Sequence, residues 1–569
     1  MSRPSIDSRG GRSMSRPAST RRRDSLSHFA DLVQSISTRD AEARYKEEEA
    51  DNRITVERAL DSDQPPGGDE RTIISWDVND KENPYNWPKW RKYFILVTTM
   101  VTVINSTMGS ALPSMAIPYM TKEWGVTSQV QFVLPISTFL MGYVFGPIVW
   151  GPMSEHVGRR NLSVGCFIMF TIFTMACALA PNWPAMLVFR FFVGTFASAP
   201  IAVTTGILAD VFHDPVTRGR AMAWFMVTTV FGPLLAPIIS GFSSTSIGWR
   251  WTFWIGLIFA GLTLIMLLIL PETYAPVLLS RRAAKIRKGY PNSQVYAASD
   301  LESKDLKQLA TRVLTRPIRM ILTELIVTAV CLYLSLIYSI FYMSFQAFPI
   351  IFQDVYGLSP GVTGLCYLPI GLGAIIALPI FFSYDHLLAN AQSRGAPWSK
   401  QEEFRRVPLA AVGGPLFVIS LFWLGWTARS DVSFVAPMLA GIPFGTGFML
   451  IFMALLNYIT DAYEIFAASA NAAASSCRSV FAVVLPFATT PMFAQLGISG
   501  ACSLLGGLSL IMCVIPFIFI WKGEEIRARS KFCIALKERK LEMERKHEEQ
   551  QRRAAAADSS SDMKTKETV

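Results

Sequence analysis

The chain has 569 residues, of which 51% are apolar and only 17% charged, and its formal net charge is +10. Soluble domains carry about 25% charged residues, so a soluble globular class is excluded for most of the chain. Nor does the basic excess point to nucleic acid, because its Lys and Arg residues sit in loops between apolar runs, where they mark the cytoplasmic side and face anionic lipid.

The chain opens on a polar tail, residues 1–89, and its first sixty positions, rich in Ser and Arg, are expected to be disordered. No cleavable signal peptide is recognised there, so the first apolar run is expected to serve as the insertion signal. Twelve apolar runs follow, near 93–118, 130–150, 162–180, 185–208, 219–242, 250–270, 321–352, 361–383, 407–427, 434–457, 465–493 and 499–521. As helices they are suited to cross roughly 30 Å of hydrocarbon. Basic loops alternate with bare ones. The loops at 151–161, 209–220, 271–320 and 384–406 are rich in Arg and Lys, whereas 181–184 and 494–498 carry no charge. The positive-inside rule then places the basic loops and both termini in the cytoplasm. The expected fold is an all-α polytopic membrane protein of twelve transmembrane helices in two six-helix halves, 90–270 and 321–522. A basic linker at 271–320 joins them, a charged tail at 523–569 follows, and a binding site is expected between the halves. Ser154-Glu155-His156 after the second run and Tyr384-Asp385-His386 after the eighth hint at an internal repeat.

The residues that carry chemistry also follow in chain order. Asn105 is a polar group in the first run, which holds no acid. The loop after the second run reads Gly151-Pro-Met-Ser-Glu155-His-Val-Gly158-Arg159-Arg160. Gly151 is expected to permit close helix approach and Gly158 a tight turn. Glu155, Arg159 and Arg160 are expected to form a charge latch that closes in one conformation and opens in another. Arg190 stands alone in the fourth run, where a charge is costly unless it meets a cavity, a partner, or the outer interface by extending its stem. Asp210 ends that run and, with Arg218 and Arg220, offers a second latch. The fifth run contains Gly232-Pro233-Leu-Leu-Ala236-Pro237-Ile-Ile-Ser240-Gly241, in which proline kinks a helix and small residues admit a close neighbour. Trp249, Trp251, Phe253 and Trp254 are expected to form an interfacial belt.

The seventh run carries Tyr338, Phe341, Tyr342, Phe345 and Gln346. Aromatic walls with polar tips suit bulky amphipathic or cationic ligands, and the same spacing suits plain packing. Arg478 is an isolated cation in the eleventh run, with Asp461 and Glu464, or helix carbonyls, as candidate partners. The eight cysteines form no CxxC pair and the five histidines fall at no ligand spacing. With no nucleotide loop or catalytic triad either, neither a cofactor, a metal nor an enzymatic activity is expected.

The 151–160 stretch resembles the signature loop of the major facilitator superfamily, G-x-x-x-[DE]-x-x-G-R-R, with Glu155 where Asp is commoner and His156 where Arg is usual. Arg190 resembles the fourth-span arginine, and Gly232–Gly241 the antiporter motif, of drug:proton antiporters, with Ala236 and Ser240 in place of glycines. Residues 83–90, 270–276 and 457–463 resemble fungal members of the drug:proton antiporter-1 family, and the resemblance spans about residues 74–525. It implies a monomeric, multi-pass plasma-membrane exporter that works by alternating access on a small-molecule substrate such as a drug, a toxin or a secondary metabolite. Its energy would come from protons, with Arg190, Asp210, Arg478 and Asp461 as coupling candidates. The alternative is a proton symporter or facilitator for uptake of a small nutrient, or a polyamine exporter; the fifth run argues against uptake. In one respect the chain departs from the family: its span-associated acids, Glu324, Asp210 and Asp354, lie near run ends, so coupling rests on the resemblance alone.

Overall fold

The computed structural model describes residues 72–77, 80–289, 295–301, 306–401, 403–463 and 466–530, with a few positions beyond, up to 545. The whole 1–60 segment with its expected disorder, Glu464 and the end of the charged tail therefore lie outside the described residues. The bundle helices are α1 Lys89–Ala111, α2 Gln129–Val157, α3 Arg159–Ala178, α4 Trp183–Val211, α5 Pro215–Ser246 and α6 Arg250–Ile269 in the first half. The second half holds α7 Leu325–Phe348, α8 Leu368–Ser393, α9 Glu403–Thr427, α10 Gly441–Tyr463, α11 Ala467–Val484 and α12 Thr489–Arg529.

Helix is the form that meets every backbone hydrogen bond locally, which hydrocarbon requires. Eleven helical stretches among the described residues are long and apolar enough to span a bilayer, but the last, Ala467–Arg529, runs for 63 residues. A straight helix of that length would measure about 95 Å, three times the hydrocarbon thickness. The chain breaks it inside α12 at Gly497, whose φ of 68° is open to glycine and strained for other residues; the part of α12 before Gly497 prolongs the α11 crossing and the part after it makes the next, so the described residues give twelve crossings. Beyond α7 a π-helical segment, Pro349–Val355, carries the chain to the end of the bundle opposite the basic loops.

The halves meet along two seams, α5 with α8 and the short helix Pro360–Leu365 before it, and α2 with α11, and the close contacts lie toward that opposite end. A Cβ on Gly241 would stand 2.4 Å from the Pro360 carbonyl, and one on Gly364 2.6 Å from the Pro237 carbonyl, so backbone packs on backbone. Ser137 donates to the Val483 carbonyl at 3.1 Å and Ser476 to the Val144 carbonyl at 3.4 Å. Prolines 233 and 237 lie inside α5, which still runs unbroken for 32 residues.

The expected interfacial belt is only partly one. Trp251 is exposed, but Trp249 and Phe253 are buried, and Trp249 donates to Glu123 at 2.6 Å while packing on Trp124. Partial burial pushes the Glu123 carboxyl up, and the hydrogen bonds from Trp249 and Arg250 outweigh it, holding the group below the usual carboxylate range.

Among the described residues, 72–77, 80, 279–289 and 295–301 belong to a separate small unit. Thr72–Ile74, within the stretch read as a polar tail, pairs in parallel with Val295–Ala297, register Ile73 to Tyr296. Ile74, Val295 and Ala283 make its core, Arg282 pairs with Asp80, and Arg287 donates to the Val295 carbonyl at 2.9 Å.

Candidate transport site and charge networks

At the basic-loop end, the first half is organised by two acids. Gly158 turns α2 into α3 with a φ of 101°, and a Cβ there would lie 2.4 Å from Glu272 Oε2. The buried Glu272 carboxylate accepts the backbone N–H groups of Arg159 at 2.9 Å, Thr273 at 3.0 Å, Tyr274 at 3.1 Å and Arg160 at 3.3 Å. It thus caps the free donors and positive dipole end of α3. Arg159 Nε donates to Asp210 Oδ2 at 3.2 Å, its guanidinium also reaches Ser154, and Tyr274 lies beneath it at 4.8 Å.

The latch expected from Glu155, Arg159 and Arg160 is therefore drawn differently. Glu155 is only 3.9 Å from Arg159, with its side chain 57% exposed, and stands at the rim. The Arg160 side chain turns to the Leu268 carbonyl at 2.7 Å. Asp210 takes Arg159 as partner, while Arg218 and Arg220 are exposed. Gly151 allows no close approach: a Cβ there would meet nothing within 4 Å.

The second half repeats the triangle. Arg406, near the start of α9, lies 3.4 Å from Asp461 at the end of α10 and 3.8 Å from Asp385 in α8. Asp385, Arg406 and Asp461 thus stand on α8, α9 and α10 where Glu155, Arg159 and Asp210 stand on α2, α3 and α4, which gives the Glu155/Asp385 hint of a repeat its geometry. The helix cap differs. Glu403 on α9 pairs with Arg527 at 2.6 Å, and buried Glu324 accepts from Tyr463 at 3.1 Å and from Ser530. The start of the segment read as a solvated tail is thereby tied to the bundle.

In mid-membrane the two arginines part ways. Arg190 is 1% exposed, so it does not reach the outer interface. It donates to the carbonyls of Gly109 at 2.6 Å, Ser110 at 2.8 Å and Pro135 at 2.8 Å, over the Phe139 ring. Two of those carbonyls are free because α1 ends there: the residue four after Gly109 is Pro113, which has no N–H, and Ser114 N–H goes to Ala111 instead. Arg190 is thus a three-way tie between α1, α2 and α4. Among the described residues Arg478 meets no such carbonyls, Asp461 is taken by Arg406, and Ser475 alone receives it, at 3.1 Å.

The seventh-run aromatics divide by helix face. Phe341 and Phe345 pack into the second half, on Phe448 at 5.3 Å and Tyr367 at 5.4 Å, so they are core and not a ligand wall. Tyr338, Tyr342 and Gln346, spaced by four, form a second stripe. Along it Tyr342 donates to Ser110 of α1 at 3.0 Å, which carries the stripe across to the first half. Asn105 is not part of it: it donates to Thr263 of α6 at 3.1 Å and lines a small cavity inside the first half with Arg190. Sequence reasoning missed Ser106, Ser110 and Tyr143. Ser106 hydrogen-bonds the Tyr143 hydroxyl at 3.0 Å, and the spacing Thr102, Ser106, Ser110 on α1 is the polar stripe that marks this face.

In the α5 motif, a Cβ on Gly232 would fall 2.4 Å from the Ile104 carbonyl of α1, while buried Ala236 keeps the same seam tight. Ser240, where the antiporter motif has glycine, accepts the Met115 N–H at 3.3 Å.

Twelve helices in two halves, with the same charged triangle on each half, define a multi-pass membrane transporter. The family model described as Major Facilitator Superfamily matches residues 99–486. The Ascochitine biosynthesis cluster MFS transporter of Didymella fabae is 37% identical, over 81% of this chain and 89% of that one. Efflux pump FUB11 of Gibberella moniliformis is 35% identical, over 83% of this chain and 80% of that one. The chain belongs to the major facilitator superfamily. Its fold is also similar to that of the xylose transporter XylE from E. coli in a partially occluded inward open conformation, with a TM-score of 0.53 at 18% identity, covering 76% of this chain and 98% of that one.

Proposed function

We propose that this protein is a proton-coupled efflux transporter of the plasma membrane that exports toxins, drugs or endogenous secondary metabolites by alternating access, acting as a monomer. The observation that carries the reading is the α5 seam. The stretch that resembles the antiporter motif, Gly232 to Gly241, packs backbone on backbone against the other half at Pro237 and Gly241. Relatives similar over four-fifths of the chain bear the names of efflux pumps and biosynthesis-cluster transporters, which supports export.

With the basic loops in the cytoplasm, closure at the opposite end is the inward-facing state. Ion pairs at the basic-loop end, Arg159–Asp210 and Arg406–Asp461, each stay within one half. A proton taken up by Asp210 removes its charge and loosens Arg159, freeing that arginine for new partners as the halves rock. The coupling role is assigned to Asp210, because an arginine keeps its proton and Arg190 is tied by carbonyls.

The test is substrate uptake into inside-out vesicles with and without an imposed proton gradient. Export by antiport predicts accumulation that needs the gradient and is lost in Asp210→Asn. Accumulation in right-side-out vesicles driven by inward protons would overturn it in favour of uptake.

A further inference from the structure

Arg478 is 9% exposed, yet its Nε and Nη1 are buried with no hydrogen-bond partner. Among the described residues no carboxylate pairs with it. Its guanidinium lies 4.9 Å from the Phe452 ring centre and 5.4 Å from that of Tyr338. The aromatic faces offset part of the desolvation of this cation. They give its unmet N–H groups no oxygen, and a buried unpaired charge is the costliest state such a group can occupy. Arg478 stands on α11 at the seam with α2 of the other half, two residues beyond Ser476, which hydrogen-bonds Val144.

A second group, on the α7 stripe that reaches the first half through Tyr342, also lacks its partner. Gln346 Oε1 is buried and accepts nothing. It lies eight residues beyond Tyr338 on α7, about 12 Å along the helix axis. Two unmet groups of opposite kind, a cation at one end and an acceptor at the other, with Tyr338 and Tyr342 between, describe a ligand from its own side.

We infer that the transported species is an organic anion: a ring-bearing carboxylic acid whose carboxylate binds Arg478 and whose hydrogen-bond donor reaches Gln346. A planar carboxylate is the natural acceptor for a guanidinium. The positive charge disfavours the cationic ligands that the aromatic stripe alone would suit. The inference rests on the export reading for its site between the halves, and its test is separable from it.

The purified full-length chain is assayed by equilibrium dialysis against three matched probes: 2-naphthoate, neutral 2-naphthamide and 2-naphthylmethylammonium. Naphthoate binds about tenfold or more tightly than the other two, the scale of one charge-assisted hydrogen bond. Arg478→Gln removes that preference and Arg478→Lys retains part of it. Equal binding of the three, preference for the ammonium, no saturable naphthoate binding, or an unchanged preference in Arg478→Gln overturns the inference. If Arg478→Gln does not fold, the ranking by probe charge in the unmodified chain decides alone. Arg478-dependent naphthoate binding without proton-driven movement in vesicles would leave the anion site standing and sink the export reading. Proton-driven export of the ammonium probe, insensitive to Arg478→Gln, would do the reverse.

Discussion

The two halves of the bundle carry the same charged triangle at one end and bury one arginine each in mid-membrane, yet the two arginines are treated in opposite ways. Arg190 has three carbonyls that the end of α1 and Pro135 present to it. Arg478 has two aromatic faces and one serine. A buried charge is tolerated in hydrocarbon for either of two reasons, that the fold has answered it or that a ligand will. The first half shows the former and the second half is built for the latter.

Replacing each arginine separates those cases by stability, and the effect is the largest expected in the molecule. Arg190→Leu leaves the two carbonyls at the end of α1 buried without donors and unties three helices, a loss on the order of 3 kcal/mol or more. In thermal-shift size-exclusion the variant melts well below the unmodified chain. Arg478→Gln removes an unanswered charge, so its melting temperature stays level or rises. Equal losses in the two variants would erase the distinction between the halves.

That distinction was only half legible in the sequence. Hydropathy and loop charge laid out twelve spans because a bilayer imposes length and polarity on every segment, and Arg190 and Arg478 stood out as isolated cations. What each touches depends on the helices beside it. The proline at 113 that frees the Gly109 carbonyl for Arg190 is visible in the chain, but its target eighty residues away is not. Phe341 and Phe345 looked like Tyr338 and Tyr342 for the same reason: spacing gives the stripe and the neighbouring helix gives its use. Glu272, whose carboxylate caps α3, lay in a segment read for its resemblance to a family and not for its geometry. The pairing of residues 72–74 with 295–297 spans more than two hundred residues and has no local signal.

The charged triangles supply a smaller contrast. The Arg159 side chain is 9% exposed and bonded to Asp210 at 3.2 Å, whereas that of Arg406 is 18% exposed with its acids at 3.4 and 3.8 Å. A tighter, drier pair is worth more, about 1–3 kcal/mol against less than about 1 kcal/mol for a wetter one. Arg159→Gln therefore lowers gradient-driven transport in vesicles by tenfold or more in the scale of about 1.4 kcal/mol per decade, and Arg406→Gln only a few-fold. The reverse order would make the second triangle the principal latch.

The smallest contrast lies within the signature loop of the first half, between two glycines seven residues apart. At Gly158 the backbone holds φ at 101° and a side chain would press on Glu272, so Gly158→Ala costs roughly 1–2 kcal/mol from the left-handed backbone alone. At Gly151 the space beside α2 is open and the backbone is helical. There Gly151→Ala removes conformational freedom from the unfolded chain and adds nothing that collides, so the helix gains up to about 1 kcal/mol. Measured by thermal shift, Gly158→Ala falls and Gly151→Ala holds or rises slightly. A fall at Gly151 of the same size would mean that another surface closes on α2 in a second conformation, and that this glycine keeps room for it.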